Sequence, residues 1–210
     1  MEGGLQHEFR RVCGYERIAE KEQHMTLHEL RVDFILRRKG CLSLPITGCI
    51  VWSLAALASF IVPPARANVA LIVSYFLLIP ISIAIARIRG EQVIGSGNPL
   101  FKLASMCRLM VSLLWAVHLP LLFWAPEFFP LSIAIGYGIH WIVFSWTIDH
   151  PVGLIHALLR TFLVLGGWYF FPENRVGAVS IAVVMAYLLS VWQLRGIYRE
   201  MNSNVLAQSS

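Results

Sequence analysis

Acidic side chains are absent from every long apolar stretch of this chain. Its 12 Asp and Glu residues fall before residue 34, in short polar connections, or near the C-terminus. Charge of either sign is scarce, at 14% of 210 residues, where soluble domains carry about 25%. Cysteine is also sparse. Cys13, Cys41, Cys49 and Cys107 include no C-x-x-C pair, which argues against a disulfide framework and against a thiolate metal site. No cofactor is expected. P-loop, H-E-x-x-H, G-x-S-x-G and dinucleotide-binding signatures are missing. Gly95-Ser96-Gly97-Asn98 lacks the following Lys-Ser/Thr and reads as a loop leading to a helix cap. The sequence therefore assigns no catalytic residue. No short apolar segment precedes the run that begins near Cys41, so the first span is expected to act as an uncleaved insertion signal.

What is present is long apolar segments, with 57% of residues hydrophobic. The expected fold is all-α: a bundle of six transmembrane helices preceded by an amphipathic helix. Residues 1–39 form a polar N-terminal segment, 40–195 the membrane domain, and 196–210 a polar tail. The spans are expected at about 41–62, 67–86, 104–124, 129–148, 151–171 and 176–194. Each is near the roughly 20 residues needed to cross the hydrocarbon. Pro63-Pro64, Pro126-Glu127, Asp149-His150-Pro151 and Pro172-Glu173-Asn174 supply the turns, and Asn98-Pro99 is a cap followed by the first helical residue. Before the first span, Thr26 and Glu29 fit a capping box. Leu27, Leu30 and Phe34 form an apolar stripe, and Asp33 and Arg37 pair at i, i+4. This helix is expected on the membrane surface or packed under the bundle.

Six spans put both termini on one side. Eight Lys or Arg residues near span ends (Arg37, Arg38, Lys39, Arg87, Arg89, Lys102, Arg195, Arg199) fall on that side, against Arg66 and Arg175 on the other. The positive-inside rule then predicts cytoplasmic termini and an inner or plasma membrane location. It also accounts for the net charge of +5, so no nucleic-acid partner is expected. The bilayer is the expected partner. Three spans on each side of residue 127 would allow an inverted repeat, but the halves share no matching motif.

Polar groups at membrane depth need a physical reason. Arg160 is the tenth residue of a 21-residue span, close to the bilayer midplane at 1.5 Å per residue. No Asp or Glu at depth can pair with it. It must use carbonyls, water or an external anion. Pro80 and Pro120 free the carbonyls of Phe76 and Ala116, so Arg160 either caps these or holds a small anion or polar solute. His156 lies one turn earlier, and Gly153, His156, Arg160 and Gly167 share one helix face. The tight turn at Asp149-His150 brings His140 to a similar depth. Arg160, His156 and His140 are the candidate substrate-binding residues.

Asp149, His150, His118 and Arg108 are secondary candidates. Asp149 suits a helix N-cap, and Arg108 can reach headgroups or Asp149. The histidines lack a shared i, i+3 or i+4 spacing, so no metal is expected. The leading functional expectation is a small transporter or channel-like protein. The alternatives are a membrane enzyme using Asp149, His150 or His156 in acid–base chemistry, and a non-catalytic component whose N-terminal segment binds a soluble partner.

Overall fold

The computed structural model describes residues 25–93, 95 and 97–209. The polar segment 1–24, with Cys13, lies outside the described residues. The helices are α1 (Leu27–Arg37), α2 (Ser43–Ile61), α3 (Pro64–Arg89), α4 (Pro99–Leu113), α5 (Trp115–Trp124), α6 (Phe129–Ile148), α7 (Val152–Phe170) and α8 (Arg175–Ser209). Single 3-10 turns occupy Lys39–Cys41 and Pro172–Asn174. No strand occurs among the described residues. Six helical segments are long and apolar enough to cross a membrane, with α4 and α5 together forming one of them. Phe60, Ile61, Phe76, Phe123, Phe162 and Trp192 stand exposed on their outer faces. Side chains of that kind on every side suit a hydrocarbon surround.

Two boundaries differ from expectation. The third span breaks at Leu114, whose N–H bonds back to Val111, while Pro120 sits inside α5. A proline disturbs the helix on its N-terminal side, where it removes a bond and crowds a carbonyl. The expected polar tail is helical through Ser209. No proline interrupts it, and Ile197, Tyr198 and Met201 pack against the core.

α8 is the central helix. It packs along α2 and α7 and touches α6, while α3 lies outside α2 and α4 with α5 leans on α6. Its buried face alternates small residues, Ser180, Ala182, Ala186 and Ser190, with Val179 and Val183, which lets neighbouring backbones come close. α6 and α7 are closer still. A Cβ on Gly153 would run into the Trp141 carbonyl oxygen and would meet the Ser145 nitrogen at 2.7 Å. On the same stripe Gly167 admits Ala178 of α8, whose backbone a Cβ would meet at 3.2 Å.

α1 packs beneath the bundle. Its capping box is complete, with Thr26 N–H donating to Glu29 Oε2 at 2.6 Å and Glu29 N–H to Thr26 Oγ1 at 3.3 Å. Phe34 and Ile35 are buried, and the Phe34 ring meets Phe101 of α4 edge-on at 5.0 Å. Asn98 accepts from Leu100 N–H at 3.0 Å and donates to the Leu30 carbonyl at 2.7 Å, so one side chain caps α4 and ties it to α1.

Gly153→Val should lower the thermal midpoint of the purified protein or prevent folding, because backbone cannot yield as a side chain can; overpacking costs about 1–3 kcal/mol or more. Gly166→Ala, where a Cβ meets nothing within 4 Å, should leave the midpoint unchanged. The hydrogen bonds from Thr26, backbone first, hold the Glu29 carboxyl below its ordinary 4.5. A lowered pKa adds stability above that ordinary value and loses it as pH falls through the folded value. A nitroxide at Leu27 should therefore gain mobility as pH drops below 4.5, and Glu29→Gln, which still accepts a bond, should remove the step.

Candidate functional site

Helix α7 turns Gly153, His156, Arg160 and Val164 to one buried face. Arg160 is completely buried. Its Nε donates to the Ala134 carbonyl of α6 at 2.7 Å. Gly138, one turn along α6, makes the room, since a Cβ there would meet Arg160 Cδ at 3.1 Å. The guanidinium carbon lies 5.3 Å from the ring centres of both Trp52 in α2 and Tyr187 in α8, and cation–π attraction of that kind strengthens away from water. Nη1 and Nη2 make no hydrogen bond of good geometry and meet no carboxylate among the described residues, the Tyr187 side chain being their near polar neighbour. The carbonyl that caps Arg160 is thus Ala134, not Phe76 or Ala116. Phe76 sits on the exposed face of α3, and Ala116 belongs to α5, which leans on α6.

His156 is also buried, and its ring stacks on Trp141 at 3.9 Å. Its Nδ1 lies 2.8 Å from Ser190 Oγ. That hydroxyl donates to the Ala186 carbonyl at 2.9 Å, so the consistent assignment has Nδ1–H donating to Ser190 and leaves an acceptor lone pair on Nε2. Nε2 has no partner. One side of α7 thus offers guanidinium donors without a carboxylate and, a turn away, an unmet imidazole acceptor. His140 is half-buried with Nδ1 unpartnered. His118 stands apart. It bonds Ser132 Oγ at 2.7 Å and rests over Gly136, joining α5 to α6.

His140 lines a cavity of about 150 Å³ bounded by α1, α2, α3, α4, α6 and α8. Arg38 and Arg108 lie in its wall, and Trp141 and Tyr187 close its depth. A second cavity, about 20 Å³, is bounded by Trp52, Ser74 and Ile133, roughly the room one water needs. The two share Tyr75, Leu78, Tyr137 and Tyr187. Arg160 and His156 line neither. They lie behind Tyr187, Trp52 and Trp141, rings that belong to both the cavity walls and the buried cluster.

The turn residues do structural work. Asp149 is the C-cap of α6, in the left-handed region at φ 55°, and not the N-cap of α7. That position is Pro151, which offers no side-chain cap; His150 Nδ1 accepts from Val152 N–H at 3.2 Å beside it. Asp149 pairs with Arg31 of α1 at 2.9 Å, its side chain 67% exposed; Arg31 also donates to the Trp146 carbonyl. Arg108 does not pair with Asp149. Its Nη2 donates to Ser105 at 2.7 Å. Asp149, His150 and His156 line neither cavity. Among the described residues, no three His, Cys, Asp or Glu side chains gather as a metal site would.

The residues that hold Arg160, namely Trp52, Ala134, Gly138 and Tyr187, carry no local signature, because each matters only through the packing of its helix. Arg38 reads in sequence as one of a run of topogenic cations. Gly40, placed as glycines that end helices are, was the signal that a sharp turn follows it.

The chain belongs to a family of unknown function, DUF7010, whose model matches residues 27–196. That range takes in α1 together with all six spans, so α1 is part of the family's folded unit. No curated protein and no solved structure matches the chain.

A buried cation without an acid partner is a weak way to stabilise a fold, and an apolar residue of similar volume often serves better. Arg160→Met should keep or raise the thermal midpoint in detergent. Arg160→Ala should lower stability by about 2–4 kcal/mol through the cavity it leaves. Equal losses in both variants would show that the guanidinium itself holds the bundle together.

Proposed function

We propose that this protein is a small transporter or channel-like protein for an anion or polar solute, with Arg160, His156 and His140 as its binding residues. The supporting observation is the pair of adjoining cavities. They lead from Arg38 and Arg108, past His140 and Tyr137, to the Tyr187 and Trp52 rings that cover Arg160. His140 meets the solute in the cavity wall. Arg160 supplies two terminal nitrogens that meet no carboxylate and His156 an unpaired acceptor, so a solute with both anionic and donor groups satisfies the cluster. Tyr187 is the partition that must shift to join cavity and cluster. The charge bias near span ends supports a plasma or inner membrane location, with both termini and the wide end of the cavity toward the cytoplasm.

The reading is supported by cost. A charged residue at the bilayer centre is unfavourable by about 2.5–3.5 kcal/mol on insertion scales, and nothing inside the bundle neutralises this one. The test is anion flux in proteoliposomes with chloride, nitrate, phosphate and acetate as probes. Arg160→Ala should abolish the flux of whichever anion the wild type carries. Arg160→Lys should reduce it at least about tenfold, because an ammonium lacks the planar fork. Full flux in both variants, with normal thermal midpoints, would overturn the proposal.

A further inference from the structure

The turn between α1 and α2 carries an arginine inside the protein. Arg38 is only 4% exposed and lines the larger cavity. Its guanidinium carbon lies 5.4 Å from the Phe34 ring centre, and its Nε has no hydrogen-bond partner. Arg108 enters the same cavity from α4, close enough for the two positive charges to interact. The carboxylates at this end are committed elsewhere. Asp33 holds Arg37 and Asn98, Glu91 holds Arg89 and Ser43, and Asp149 holds Arg31. Among the described residues, no acid lines the cavity that the two guanidinia share.

The backbone is strained to place Arg38 there. Lys39, Gly40 and Cys41 follow one another at φ 42°, 79° and 56°, a left-handed run that only glycine adopts freely. Two clamps hold it. Arg89 Nη2 donates to the Lys39 carbonyl at 3.1 Å, and Glu91 accepts from the Ser43 hydroxyl at 2.6 Å and its N–H at 3.1 Å. A snorkelling arginine would need no such turn, because it could reach water by extending.

The cavity opens sideways. α3 and α4 barely touch. Ile79 of α3 and Ser112 of α4 each line the cavity and stand exposed on the outer surface. Leu44, Leu78 and Val111 make the wall between them and the arginines apolar. A cationic end joined by an apolar wall to a lateral opening matches a molecule with an anionic head and a hydrocarbon tail. We infer that this cavity binds an anionic phospholipid, with Arg38 and Arg108 sharing the phosphate and the acyl chains leaving between α3 and α4. Planar guanidinium forks suit phosphate oxygens in paired geometry. The site shares its cavity with the solute path proposed above, through His140, but rests on Arg38 and Arg108 and not on Arg160, which lines neither cavity.

Native mass spectrometry of the full chain, released from micelles holding equal phosphatidic acid and phosphatidylcholine, tests it. The wild type should retain one phosphatidic acid with about tenfold preference, a difference of about 1.4 kcal/mol. Arg38→Gln with Arg108→Gln should lose the preference, and Lys102→Gln, an exposed cation in the first turn of α4, should keep it. If Arg38→Gln does not fold, Arg108→Gln alone should still weaken the preference, because Arg108 is half-buried and outside the strained turn. Equal preference in wild type and the arginine variants would overturn the proposal. So would displacement of the lipid by inorganic phosphate at matched concentration, which would make the ligand a soluble oxyanion.

Discussion

A positive charge held in hydrocarbon without a carboxylate is the constraint on which this bundle turns. Arg160 is fully buried, and no acid among the described residues pairs with it. The solution draws on three other helices. α6 gives a carbonyl at Ala134 and a space at Gly138, α2 gives the Trp52 face, and α8 gives the Tyr187 face. Each contribution demands a position and a rotation of its helix. Carbonyl and rings together lower the cost of the charge, but they bring no carboxylate to the two terminal nitrogens. A bundle selected for stability alone has no use for that arrangement.

The packing that surrounds Arg160 also leaves a seam. α8, α2, α7 and α6 close around the arginine, so α3 and α4 are left at opposite edges with little contact between them. The cavity occupies that seam, and Tyr75, Tyr137 and Tyr187 line it with hydroxyl-bearing rings while Arg38 and Arg108 charge one end. α1 completes the wall. Its Phe34 packs on Phe101, its C-terminal turn delivers Arg38, and Asn98 fastens it to the start of α4. An amphipathic helix that merely lay on the membrane would do none of this.

Much of the fold was legible because membrane spans are local in sequence. Length, hydropathy, prolines and the Thr26–Glu29 box each act within one or two turns of helix. The glycine stripe on α7 was equally legible, since Gly153 and Gly167 need only a neighbour of some kind to approach. The tight turn at Asp149-His150 sets the register of α6 against α7 to within two residues, since Arg160 meets Gly138 where His140 was expected. The misassigned details share a cause. Asp149 does not cap α7 because it ends α6 in the left-handed conformation, where its carboxylate meets Arg31 of α1, more than a hundred residues away.

The all-helical bundle, its six segments long and apolar enough to cross a membrane, the capped N-terminal helix and an arginine in the middle of an apolar helix with no acid in that helix were all legible in the chain. Those follow from composition and from 3.6-residue periodicity, which any unbroken apolar helix must obey. Tertiary packing alone shows what the arginine touches, that His140 faces a cavity while His156 and Arg160 lie behind its wall, and that Arg38 points inward beside Arg108. Side-chain surroundings depend on how each helix is rotated against its neighbours. In hydrocarbon that rotation is set by small residues and polar contacts between distant segments, which sequence periodicity does not encode.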